Sequence, residues 1–96
     1  MRIYYKLVGH DAVPCSADDL DFFFFFFNRV ALHTFGDVEV STVFLAINHK
    51  PLGVQPILFE TMVFGGKLDG TMRRYHTLDE AMDGHAQILS AVKESE

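Results

Sequence analysis

Six consecutive phenylalanines occupy positions 22–27, and no regular element can hide all of them in one small core. On an α-helix, six successive residues sweep about 600° at roughly 100° each, so their rings point to every face. On a strand, half of them would still share one face. The surplus rings must be exposed, packed under a loop or buried against a partner subunit. Ser16 stands three residues before Asp19, the S-x-x-D pattern of a helix start. Asp18, Asp19 and Asp21 would lie at the positive end of that helix's dipole. A helix over residues 17–28 is therefore expected, and its excess rings predict a homo-oligomer, most simply a dimer.

Around that run the pattern predicts five strands. They cover residues 3–8, 29–34, 38–47, 57–64 and 71–76, with a connection over residues 9–14. Val43-Phe44-Leu45-Ala46-Ile47 is apolar on both faces, as a central strand would be. Phe35-Gly36-Asp37 and the segment from Gly65 to Gly70 read as turns. Thr77-Leu78-Asp79-Glu80 is a capping box opening a second helix. That helix carries Leu78, Ala81, Met82, His85, Ile88, Leu89 and Val92 at helical spacing. The expectation is one α+β domain over residues 1–96, in the order β-α-β-β-β-β-α. Its sheet is mostly antiparallel and both helices lie on one face.

The formal charge of −5 opposes general nucleic-acid binding. Lys67, Arg73 and Arg74 nevertheless form a small basic cluster suited to an anion. One cysteine, Cys15, permits no internal disulfide. No apolar segment is long enough to span a bilayer. Residues 1–6 lack the basic-then-apolar order of a signal peptide. A cytoplasmic protein is expected, without membrane partner, metal or cofactor. No H-E-x-x-H or C-x-x-C spacing is present. Gly65-Gly66-Lys67 lacks phosphate-loop spacing and leads into a strand, so it reads as a hairpin turn.

Glu60 is the sharpest site candidate, because a carboxylate in an apolar strand needs a proton or a partner. It reads as a general base or ligand acceptor, or as a structural carboxylate. If residues 65–70 loop out, Phe64 pairs with Thr71, which sets Glu60 opposite Tyr75 and Thr61 opposite Arg74. Tyr75 or His85 then bonds Glu60, while Arg74 shares the other face with Thr61. A one-residue slip would exchange those faces. His85 falls in the apolar stripe and should face the sheet, as a core histidine or as half of a carboxylate–imidazole unit. His49 ends the central strand at a Pro-Gly loop, where function concentrates. Cys15 reads as a structural thiol. The ligand-binding set is thus Glu60, Thr61, Arg74, Tyr75 and His49, with Glu60, His49 and His85 as candidate catalytic groups.

Three stretches carry a resemblance. They are Val40-Ser41-Thr42-Val43-Phe44-Leu45 with His49, then Ile57-Leu58-Phe59-Glu60-Thr61-Met62-Val63-Phe64-Gly65-Gly66, then Arg74-Tyr75 with Thr77, Glu80-Ala81 and Gly84-His85. Together they resemble a family of small phage and prophage proteins, over residues 29–92, with the second stretch the most specific. The phenylalanine run departs from that family's pattern, a mixed amphipathic helix with tryptophan. The resemblance implies a phage product acting in the host cytoplasm. Two functions follow as expectations. One is a non-enzymatic counter-defence protein that sequesters a small anionic or nucleotide ligand or blocks a host protein. The other is a small hydrolase or lyase using Glu60 with His49 or His85.

Overall fold

The computed structural model describes residues 4–16, 28–47 and 55–96. Two antiparallel sheets and one helix make up these residues, an α+β arrangement. The first sheet is the hairpin of β1 (Tyr4–Val8) and β2 (Asp11–Cys15). The second is a meander of β3 (Arg29–Phe35), β4 (Val38–Phe44), β5 (Phe59–Phe64) and β6 (Met72–Tyr75), paired in chain order. The helix α1 (Leu78–Ser95) follows β6 and packs across all four strands. All but Asn28 of the helix expected over residues 17–28, with the phenylalanine run in it, and His49 lie outside the described residues.

Three sequence expectations need correction. Residues 11–15 form β2 rather than a connection. Pro14 is tolerated there because, among the described residues, the hairpin is two-stranded and its missing N–H faces no second strand. The single five-stranded sheet is accordingly two sheets of two and four strands. The strand expected to reach residue 47 ends at Phe44, because the chain turns at Ala46, whose φ is +60°. That turn aims the Ala46 carbonyl at the Tyr5 N–H (2.8 Å) and ties the hairpin to the larger sheet.

The third correction is register. β5 and β6 pair Phe59 with Tyr75, Glu60 with Arg74, Thr61 with Arg73 and Met62 with Met72. This is one residue from the expected alignment, and it exchanges every face. The cause lies in the turn. Asp69 Oδ1 accepts the Gly65 N–H at 2.6 Å, and the Thr71 carbonyl accepts from Val63 rather than Phe64. The loop therefore absorbs one more residue than the glycine spacing suggests.

Strand alternation now sorts the sheet into two faces. Toward α1 point Val38, Val40, Thr42 and Phe44 of β4 and Phe59, Thr61 and Val63 of β5, all buried. Ala81, Ile88 and Val92 of α1 close over them. Two apolar clusters result, one around Phe44, Leu58, Phe59 and Tyr75, the other around Val38, Val40, Val63 and Ile88. Thr77 and Glu80 make the expected capping box, with both reciprocal bonds at 3.1 Å. Met82, expected in the core stripe, is exposed, and Gly84 takes its place against the sheet.

Candidate functional site

Beneath α1 a chain of polar side chains runs through the apolar core. Thr42 and Thr61 are direct cross-strand partners on the two central strands, and both are fully buried. Their hydroxyls meet at 2.5 Å. Tyr75 on β6 reaches diagonally and donates its hydroxyl to Thr61 Oγ1 at 3.1 Å. From above, His85 of α1 sets Nδ1 at 2.7 Å from Thr42 Oγ1. Its Nε2 lies 2.8 Å from Nδ1 of His33, an exposed residue on the edge strand β3. Five side chains from five elements thus form one line from solvent to the centre of the domain. No buried polar side-chain atom among the described residues lacks a partner. That matches the high cost of leaving such atoms unpaired. Burial, and then the neighbouring His33, lower the His85 pKa from its ordinary value, so His85 is held neutral.

Backbone geometry makes room for this line. Gly84 sits one residue before His85, and a side chain there would overlap the Tyr75 ring and hydroxyl. Gly84-His85, Tyr75, Thr42 and Thr61, scattered in sequence, therefore meet at one place. His33 was missed in the sequence reading. Its signal was the Gly36-Asp37 turn, where Gly36 takes φ +62°. A two-residue turn pairs Phe35 with Val38 and so puts His33 on the Val40 face, toward α1.

Glu60 lies on the opposite face of the sheet. It is bonded neither to Tyr75 nor to His85. Its Oε2 accepts from Arg74 Nε at 3.0 Å, with the two side chains 18% and 40% exposed. Because Glu60 neighbours Thr61 along β5, the sheet itself separates it from His85, so no carboxylate–imidazole unit forms. Thr61 and Arg74, expected on one face, are likewise on opposite ones. Tyr75 sits on the Thr61 side, in the core.

The basic cluster also disperses. Arg73 turns toward α1 and donates to Gln87 at 2.9 Å, while Arg74 turns away to Glu60. Lys67 is in the β5–β6 turn, where its backbone N–H bonds Glu96. The outer face carries apolar rows between these polar groups. Leu32, Ser41, Met62 and Met72 are paired in one line across all four strands. Phe64 adjoins it, next along β5 in the outward direction. Leu32, Met72 and Phe64 are 39%, 47% and 48% exposed.

A cleft of about 350 Å³ opens between the β1–β2 turn and the start of α1. Its lining includes His10, Asp11, Leu58, Phe59, His76 and Asp79. His76 Nδ1 donates to the Pro56 carbonyl at 2.9 Å, which leaves Nε2 as the ring nitrogen outside this bond. None of the sequence-nominated site residues within the described set lines this cleft. Among the described residues no three His, Cys, Asp or Glu side chains are grouped to hold a metal ion. No helix of the described residues is long and apolar enough to cross a membrane. Cys15 ends β2, half-buried.

No protein-family model matches this chain, and neither a curated protein nor a solved structure shows significant similarity to it.

Proposed function

We propose that this chain is a small non-enzymatic binding protein, a phage product acting in the host cytoplasm. In this reading it blocks a protein partner through the outer face of its four-stranded sheet. The observation that carries it is the apolar row Leu32–Met62–Met72 with Phe64, partly exposed around the Glu60–Arg74 ion pair. Large side chains around an internally neutralised charge pair suit a protein surface better than a small anion. Sequestering an anionic ligand draws less support, since Arg73 and Arg74 face opposite ways and Arg74 already has a carboxylate. The hydrolase or lyase reading loses its Glu60–His85 pair to the intervening sheet.

The test is a pair of outer-face variants, Phe64→Glu and Met72→Glu, captured in parallel with the wild-type chain from host lysate. Both positions are half-exposed, so the variants are expected to stay folded and to lose a partner that the wild type retains. Equal capture by all three would overturn the reading. Sedimentation of the same samples identifies a second copy as the occupant, the homo-oligomer suggested by the phenylalanine run. In that case the wild type sediments as a dimer and the variants as monomers.

A further inference from the structure

The line of side chains under α1 has a direction. Tyr75 donates to Thr61 and has no other side-chain partner among the described residues, while Thr61 also meets the Thr42 hydroxyl. If every hydroxyl is to donate once, Thr61 must donate to Thr42, Thr42 to His85 Nδ1, and His85 Nε2–H to His33 Nδ1. This order satisfies each buried proton. It requires that His33 keep a lone pair on Nδ1, and hence that His33 be neutral.

We infer that His33 and His85 form a proton switch that holds α1 on the sheet near neutral pH and loosens it in mild acid. His33 is exposed and takes its proton from solvent. Once Nδ1 carries that proton, two N–H groups confront each other across 2.8 Å. His85 must then hold its own proton on Nδ1, which reverses the line. Thr42 and Thr61 donate the other way, and Tyr75 becomes an acceptor whose own proton has no buried partner. Charging His85 as well would place two imidazolium ions in contact, one of them 2% exposed.

Among the described residues, the groups around the pair offer no compensating anion. β4 presents Val38, Val40 and Thr42, and β5 presents Thr61 and Val63. β6 brings Tyr75 and the cation Arg73, which bonds Gln87. The acidic residues of α1's first turns, Asp79, Glu80 and Asp83, are on its exposed side. The sign follows from linkage. Burial and the neighbouring His33 lower the His85 pKa, so His85 binds protons less readily in the folded state than in the unfolded chain, and docking of α1 weakens as pH falls below about 6.5. This inference concerns the inner face and is independent of the binding reading.

The experiment is amide hydrogen exchange of α1 in the full chain at about pH 7 and about pH 5, corrected for intrinsic exchange rates. The wild type is expected to lose about ten-fold in α1 protection, the scale of one buried hydrogen bond lost. In His33→Gln the carboxamide oxygen accepts the same bond without titrating, so only the share of the loss that comes from burial of His85 remains, and the loss should be clearly smaller than in the wild type. Either unchanged wild-type protection across this range, or an equal loss in His33→Gln, would overturn the switch. Imidazole nitrogen spectra near neutral pH give a second readout. They should show His85 protonated on Nε2, and a proton on Nδ1 instead would contradict the donor order.

Discussion

Replacing Thr42 by valine removes one hydroxyl while nearly keeping the side chain's shape. That hydroxyl touches Thr61 at 2.5 Å and His85 at 2.7 Å, in a residue with no solvent exposure. Each lost bond between neutral groups costs about 0.5–1.5 kcal/mol net. A buried group left unpaired, here His85 Nδ1 or the Thr61 hydroxyl, costs about 1–3 kcal/mol. These overlap, so the combined loss is about 2–4 kcal/mol. Thr42→Ser keeps the hydroxyl and loses one buried methyl, about 1 kcal/mol. For a domain of this size each kcal/mol moves Tm by about 4–8 °C. Thr42→Val should therefore lower Tm by about 10–25 °C, and Thr42→Ser by only about 5 °C. Thermal and urea unfolding at neutral pH, followed by circular dichroism, measure both. A valine variant as stable as the serine variant would refute the claim that the hydroxyl, rather than packing, matters here.

Gly84→Ala should destabilise by about 1–3 kcal/mol despite alanine's better helix propensity, because the new methyl meets the Tyr75 ring. The same unfolding assay measures it, and a gain in stability would contradict that close approach. Glu60→Gln should change stability by less than about 1 kcal/mol, since the Arg74 pair is partly exposed and screened by solvent. High salt should erase that small difference. Wild-type Tm should decline as pH is lowered from about 6.5, because the folded pKa of His85 is depressed and its stabilising share is lost downward from the unfolded value. A Tm that rises over that interval would reverse the sign.

Local signals read well from the sequence, and long-range alignment did not. The capping box at Thr77 and Glu80, the inward face of His85 and the strands beginning at Arg29 and Val38 all follow from neighbouring residues. The face of Glu60 depended on how many residues the β5–β6 turn consumes, which Asp69 decides by accepting the Gly65 N–H. A period of two turns that single residue into an exchange of inside for outside. Thr42 and Thr61 were hard to recognise as core because threonine's methyl and hydroxyl suit either face of a sheet. Only the cross-strand pairing gives both hydroxyls a reason to be buried. Asp11–Cys15 escaped notice as a strand because its proline argues against one unless a free edge is available.

The chain-order pairing of β3 through β6 also bears on how the domain assembles in time. Each hairpin of the meander closes between consecutive strands, so its contacts form early at small entropic cost. His85 must instead reach back 43 residues to Thr42 and 52 to His33. These are among the last contacts to form. Weakening them should leave the refolding rate nearly unchanged and speed unfolding, the pattern of a group absent from the transition state. Stopped-flow kinetics of His85→Leu, which leaves the Thr42–Thr61 bond of the hairpin in place, would then show an altered unfolding limb over an unmoved folding limb. On this account the buried polar line governs how long the folded molecule lasts rather than how quickly it is made.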